Sequence, residues 1–338
     1  MLDRHSDHAA HERHDGPWSI VLGGGDSGSV RPLINKWLGH QKPKPYCTFL
    51  GTRSLWQHSI DRAMRVSCPE RVIAVVNQGH QQEALDQLGH RTIDRLLVQP
   101  MKKGVAAGIF LALSSLRIRD PNGTVVIVQS DHFVYPESRF LRAVQEAVWI
   151  AQELPHRLVL LGVPPESLEL DYGWIKTGAR VILRTESPVR LVRSFVEKPS
   201  ALEADRVLAE GALWNTLVVA AQAETLWNLG RQVLPELVQT LEGLSVYAGG
   251  ALEWAVTSVL SDALPACDFS KDFLEQIPDY LAAVEMQDVL WSDWGRPRRI
   301  VSTLRRIGRQ PAFPLECLGT PFVPLQTMSG SHLPATAV

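Results

Sequence analysis

Residues 18–45 read WSIVLGGGDSGSVRPLINKWLGHQKPKP. The stretch opens with the apolar run Trp18 to Leu22, long enough for one buried strand. Three glycines follow at once, Gly23, Gly24 and Gly25, then Asp26, Ser27 and Gly28. A strand that empties into a glycine-rich turn gathers backbone N–H groups with no Cβ to block a phosphate oxygen. Downstream, Pro43 and Pro45 stiffen the chain around Lys44 and reduce the freedom that this lysine loses on meeting an anion. A phosphate cradle followed by a held lysine predicts a nucleotide site.

Three simpler readings of the stretch are open. It can be a turn with surplus glycine. It can be a dinucleotide fingerprint, since Gly23, Gly25 and Gly28 satisfy G-x-G-x-x-G. That reading wants a helix straight after the glycines and an acid about 20 residues on; Pro32 and Pro43-Lys44-Pro45 interrupt the path, and the next strand ends in Asn77. A P-loop fails outright, because Ser29 follows Gly28 and no Gly-Lys-Ser/Thr is present.

Outward from the loop, strands and helices alternate. Arg53 to Ser67 reads as a helix, Arg71 to Val76 as a strand, Gln81 to Leu88 as a helix and Leu96 to Val98 as a strand. Gly104 to Leu116 is an apolar helix, and Thr124 to Val128 a β-branched run suited to a strand covered on both faces. Glu137 to Glu153 is a helix, Arg157 to Val163 the next strand, 223–260 several helices, and Leu281 to Val284 a strand. The order predicts an α/β fold: a doubly wound, mainly parallel, Rossmann-like sheet with a mixed part after it. Ligands on such sheets sit at the carboxyl ends of the strands. Asp131, directly after the Thr124 run, is placed there. By itself it reads equally as a turn-capping aspartate.

The 338 residues carry a formal net charge of -2, with 45% hydrophobic and 21% charged residues. Nothing in that balance suggests a nucleic-acid or membrane surface, and no apolar run approaches the ~20 residues of a membrane span. A signal-peptide layout is absent at the start. Cys47, Cys68, Cys267 and Cys317 form no CxxC pair, so a reducing cytoplasm is the default compartment. Residues 1–17, with His5, His8, His11 and His14, read as a disordered tail, and 301–338, with five prolines from Pro311 to Pro334, as an irregular extension. Residues 18–300 make the folded domain.

The glycine loop resembles the signature of the sugar-1-phosphate nucleotidyltransferases, most closely the mannose-1-phosphate guanylyltransferases, whose loop reads roughly G-G-x-G-x-R-L-x-P-L and is followed by P-K-P or P-K-Q. Aligned on Pro32-Leu33, the family's arginine falls on Ser29; Arg31 lies two places later. Gln129-Ser130-Asp131-His132 resembles P-S-D-H, and Trp291-Ser292-Asp293-Trp294-Gly295 resembles W-S-D-x-G. Asp171-Tyr172-Gly173-Trp174-Ile175, Phe195-Val196-Glu197-Lys198-Pro199 and Leu213-Trp214-Asn215-Thr216 resemble the segments that face the sugar.

The resemblance implies a nucleoside triphosphate, GTP in the nearest relatives, held by Gly23, Gly24 and Gly25 with Gln99 near the base. It implies Lys44, Lys198 and a displaced Arg31 on phosphates. Gly173, Glu197 and Asn215 would face the sugar 1-phosphate, and Asp131 and Asp293 would hold Mg²⁺. Nucleic acid and membrane are not implied, and a homo-oligomer is left open. Two other classes remain: a non-catalytic sugar-nucleotide sensor, suggested by Ser29, Gln129 and Gly104-Val105 where Asn-Thr is frequent, and a nicotinamide dehydrogenase, suggested only by G-x-G-x-x-G.

Overall fold

The computed structural model describes residues 16–24, 28–100, 103–245 and 263–318. Four strands come first: β1 (Trp18–Leu22), β2 (Val72–Asn77), β3 (Arg95–Gln99) and β4 (Thr124–Gln129). They pair in parallel in the order β3-β2-β1-β4. Three helices connect them in addition to α1 (Arg31–Leu38): α2 (Leu55–Val66), α3 (Gln81–Leu88) and α4 (Gly104–Arg117). This is the first half of a doubly wound sheet.

The second half is mixed. After the short β5 (Phe133–Tyr135) and α5 (Glu137–Glu153) come β6 (Leu158–Val163), β7 (Gly173–Val181) and β8 (Val189–Glu197). Helix α6 (Ala201–Ala209) leads to β9 (Leu213–Gln222), which is followed by α7 (Ala223–Val233) and α8 (Pro235–Ser245). Strands β10 (Leu281–Glu285) and β11 (Leu290–Ser292) come last. The nine-stranded order is β3-β2-β1-β4-β9-β6-β10-β8-β7. Strand β9 is antiparallel to both β4 and β6, and so welds the two halves into one sheet. Strands β11 and β5 pair separately, Ser292 opposite Phe133.

All five residues of β1 are buried, and successive side chains face opposite sides of a sheet covered on both faces. Ile20 and Leu22 pack with α4, α7 and α8 on one face, while Val21 packs with Trp56 and Ile60 of α2 on the other. Helix α2 is held at its start by a capping box between Ser54 and Gln57.

Two boundaries differ from the sequence reading. A helix does follow the glycines. Pro32 stands in the first turn of α1, where no intrahelical N–H is needed, so it starts the helix instead of blocking it. And residue 301 is not a domain edge: helix Pro297–Arg306 runs through it. Its Ile300, Val301 and Leu304, with Phe313, are buried against Leu33, Phe49 and Trp294. Apolar residues spaced at one, three and nine positions here override the proline content that suggested an irregular segment. The expectations for the histidines of 1–15 and for 319–338 lie outside the described residues.

Gly23 is the tightest point of the loop. An added Cβ would stand 2.7 Å from the Trp56 ring, 2.9 Å from Val76 Cγ1 and 3.2 Å from the Val75 carbonyl. Gly23→Ala should therefore lower the unfolding free energy by about 1–3 kcal/mol through overpacking, read as a shifted urea midpoint at unchanged slope. A loss below about 0.5 kcal/mol, the range of neutral surface changes, would show that the loop yields freely.

Candidate active site

The site lies past the carboxyl ends of β1 and β4, the point from which successive connections diverge. The Ser130 N–H donates to the Leu22 carbonyl at 3.0 Å, which ties the loop after β4 to the end of β1. Lys44 begins a short 3₁₀ turn, Lys44–Tyr46, with extended Pro43 before it. Its ammonium is buried. Nζ donates to Asp131 Oδ2 at 2.6 Å and to the Asp293 main-chain carbonyl at 2.6 Å. Three segments far apart in sequence thus meet on one cation.

Asp293 is the most heavily bonded of the candidates. Its Oδ1 accepts from the Tyr172 hydroxyl at 2.8 Å, from the Gly295 N–H at 3.0 Å and from Arg299 Nη1 at 3.0 Å; Oδ2 accepts from the same Nη1 at 3.0 Å. Burial alone would push this carboxyl up. The Arg299 and Lys44 charges and the Gly295 N–H outweigh it and hold Asp293 below the usual carboxylate range. Tyr172 goes the other way, its phenol raised by burial and by Asp293. His132 Nε2 lies 3.7 Å from Asp131 Oδ1, and burial lowers this imidazole below its ordinary value.

Asp131 and Asp293 fit a magnesium ion in donor chemistry. Both are hard carboxylate oxygens, and Lys44 brings the two loops together. Among the described residues no cluster of three or more His, Cys, Asp or Glu is arranged to hold a metal. One or two carboxylates are what Mg²⁺ takes when phosphates complete its shell. Arg299 shares Asp293 in this arrangement.

In the mixed part of the sheet, next to Tyr172, Gly173 is paired with Glu197. A Cβ on Gly173 would lie 2.6 Å from Glu197 Oε2, so only glycine lets this carboxylate approach the β7 backbone. Burial pushes Glu197 up to about 7, against the pull of Lys198. Lys198 Nζ is 3.5 Å from Glu197 Oε1 on a side chain that is 61% exposed. Asn215 is buried at the irregularity where β9 shifts register against β6, and its Oδ1 accepts from the Leu217 N–H at 3.2 Å.

Gln99 is buried at the end of β3. Its Nε2 donates to Asn77 Oδ1 at 2.8 Å, while Oε1 has no hydrogen-bond partner. Asn77 lies against Gly24. Gly23 requires a correction: its N–H donates to the Val75 carbonyl at 2.6 Å, so it continues the sheet instead of facing a phosphate. Gly24 is half-buried, and Gly25 lies outside the described residues. Arg31 is exposed at the start of α1, beyond the exposed Ser29.

The residue that sequence reading missed is Arg299. It is 9% exposed, lies 4.5 Å over the Tyr172 ring, and bonds Glu169 at 2.5 Å and Asp171 at 3.1 Å besides Asp293. Arg296 pairs with Asp171 as well. The local sequence shows only a basic helix start, Arg296-Pro297-Arg298-Arg299, directly after the W-S-D-x-G segment, and does not mark which arginine folds onto the acid.

Known proteins support this architecture. Alginate biosynthesis protein AlgA of Pseudomonas syringae pv. tomato is 28% identical over 284 residues, 82% of this chain and 56% of its own length. Mannose-1-phosphate guanylyltransferase of Escherichia coli is 26% identical over 287 residues, 82% of this chain and 58% of its own. The chain thus spans a little over half the length of these relatives. A crystal structure of mannose-1-phosphate geranyltransferase from Thermus thermophilus superposes with a TM-score of 0.70 at 24% identity, over 87% of this chain and 79% of the other, and shares the fold. The model of the nucleotidyl transferase family matches residues 18–308, which take in both halves of the sheet and every candidate residue from Gly23 to Asp293, and the chain belongs to that family.

Proposed function

We propose that this protein joins a sugar 1-phosphate to a nucleoside triphosphate and releases pyrophosphate, with GTP and mannose 1-phosphate as the pair. The observation that carries the reading is Lys44, whose buried Nζ joins Asp131 to the Asp293 loop beside the end of β1. The activity named for the Escherichia coli relative supports the choice of substrates.

In this reading a sugar phosphate oxygen attacks the α-phosphorus in line and pyrophosphate leaves; no covalent protein intermediate is needed. Positioning and charge stabilisation supply the rate. Lys44 stabilises charge at the transferring phosphate while keeping Asp131 oriented. Gln99 stands near the base, its Nε2 held by Asn77 and its buried Oε1 turned toward Gly108 of α4. Glu197 and Asn215 orient sugar hydroxyls, Gly173 lets the ring approach the β7 backbone, and Lys198 meets the sugar phosphate from its exposed position. Mg²⁺ held by Asp131 and Asp293 supplies further charge neutralisation when bound. Arg31 reaches the triphosphate only if the loop before α1 folds it inward.

A second reading, a sensor that binds sugar nucleotides without turnover, is favoured by the placement of Arg299 on Asp293 and by the exposed Ser29 where relatives carry arginine. Pyrophosphate release with a panel of triphosphates and sugar phosphates separates the two. Release is expected with at least one pair; nucleotide-sugar binding without release from any pair supports the sensor.

Asp131→Asn removes one charge and keeps shape, so pyrophosphate release should fall by about 100-fold or more. Near-parental, magnesium-dependent turnover in both Asp131→Asn and Asp293→Asn would reject the acid assignment.

Glu197 gives a pH signature. The folded carboxyl keeps its proton up to about 7, whereas its ordinary value is 4.5. Its contribution to stability is therefore complete below 4.5 and is lost as pH rises through 7. Glutamine cannot ionise, so Glu197→Gln should exceed the parent by on the order of 3 kcal/mol at alkaline pH and match it in acid. Denaturant unfolding across that range measures the difference; equal stability at alkaline pH would show that Glu197 ionises without cost.

A further inference from the structure

A cavity of about 300 Å³ opens behind the two acids. It is bounded by α2, by the β5 segment that follows Asp131, and by the end of helix Pro297–Arg306. None of Gly23, Gly24, Lys44, Gln99, Glu197 or Asn215 lines it. It is thus distinct from the site described above, although His132, Phe133 and Trp294, the immediate neighbours of Asp131 and Asp293, form part of its wall.

Its walls have two characters. One is aromatic: Phe133 and Trp294 stack at 4.7 Å and 8°, and Phe49 meets Trp294 edge-on at 5.6 Å. Tyr135, exposed, stands at the mouth. Phe49 and Trp294 are 1% exposed in this packing, so the aromatic surface open to a flat ring is that of Phe133 and Tyr135. The other is cationic. Arg53, Arg62 and Arg309 line the cavity against a single carboxylate, Glu137. That carboxylate is shared with Arg65 at 3.1 Å.

Arg62 is the telling member. It is 8% exposed, and the one carboxylate within 4 Å of it among the described residues is Glu137, at 3.9 Å. Its Nη2 donates to two neutral oxygens, Ser59 Oγ at 2.7 Å and the His132 carbonyl at 3.4 Å. Burial pulls this guanidinium down to about 10, the mark of a cation that lacks close compensation. A buried charge is normally matched by a partner of opposite sign. Arg53, whose Nη2 is 2.7 Å from Asp61, is half-exposed, and Arg309 is exposed at the rim. The three guanidinium groups thus meet two carboxylates, Glu137, shared with Arg65, and Asp61, shared with Arg91, and Arg62 has the more distant pairing.

We propose that this cavity is a binding site for a flat organic anion, an aromatic ring system bearing one phosphate, sulfonate or carboxylate. The ring lies against Phe133 and Tyr135, and the anionic group faces Arg62, Arg53 and Arg309. The volume is at the small end of ligand pockets and admits a two-ring body with one such group.

The fluorescent probe 6-hydroxynaphthalene-2-sulfonate, two fused rings with one sulfonate, tests this with the full chain. It should bind saturably at one site and stay bound when GTP and magnesium are added to saturation. 1-Naphthyl phosphate should displace it at concentrations about tenfold or more below those needed of 1-naphthol, which has the same rings without the charge. Arg309→Glu and Arg53→Gln, both at exposed positions, should each weaken the probe by about tenfold while leaving pyrophosphate release at the parental level. The proposal is overturned if binding is not saturable, if GTP displaces the probe, if naphthol and naphthyl phosphate compete equally, or if both variants bind as the parent does. Because the probe is read without turnover, loss of the site and loss of the nucleotidyl transfer reading are distinguishable.

Discussion

The structure turns on one buried ammonium. Lys44 reaches Asp131 and the Asp293 carbonyl from a segment whose backbone is set by Pro43 and Pro45. Removing a charge of this kind from water costs several kcal/mol, and only close, well-aligned partners offset that cost. The two contacts at 2.6 Å supply such partners, so the three loops cannot drift apart without leaving Lys44 buried and uncompensated. The sheet explains why they converge. Strands β1 and β4 are parallel neighbours, and the β5–β11 pair brings Ser292 opposite Phe133, two residues past Asp131.

Arg299 extends that logic toward β7 and β8. It links Asp293 to Glu169 and Asp171, just before Tyr172 and Gly173, and lies over the Tyr172 ring. The Lys198 N–H donates to the Tyr172 carbonyl at 3.2 Å, so the chain of contacts continues to Glu197. Helix Pro297–Arg306 is therefore structural and chemical at once: one face packs Ile300 and Leu304 into the core, and its first turn aims Arg299 at the acid.

Much of this was legible in the sequence, for reasons that differ by residue. Trp18 to Leu22 and Glu137 to Glu153 were read with their observed bounds, because a short run that is apolar at four of five positions before a glycine turn and a long 3.6-residue period have few alternatives. Pro32 misled, because a proline reads as a stop unless the helix start is already known. The place of β9 between β4 and β6 was not legible at all: alternation of residues reports two covered faces, not which strands lie alongside. Arg299 escaped because nothing local distinguishes an exposed basic helix start from one folded onto an acid. The same limit applies to Gly23, whose role in packing against Trp56 depends on a helix more than thirty residues away.

Backbone strain gathers where the candidate side chains must be aimed. Among the described non-glycine residues, positive φ occurs at Lys198, Leu217, Asp288 and Trp294. Asp288 belongs to the turn between β10 and β11; the other three stand within two residues of Glu197, Asn215 and Asp293. A left-handed residue costs about 1–2 kcal/mol, and such costs persist only where surrounding contacts over-determine the conformation. The compensation is visible at two of the three. Trp294 is stacked on Phe133, and the Leu217 N–H is held by Asn215 Oδ1 itself. Lys198 differs: its side chain is mostly exposed, and the bond from its N–H to the Tyr172 carbonyl carries the constraint. That bond in turn depends on Tyr172 being fixed by Asp293 and Arg299. The conformation of Lys198 is thus secured through Tyr172 from Asp293 and Arg299.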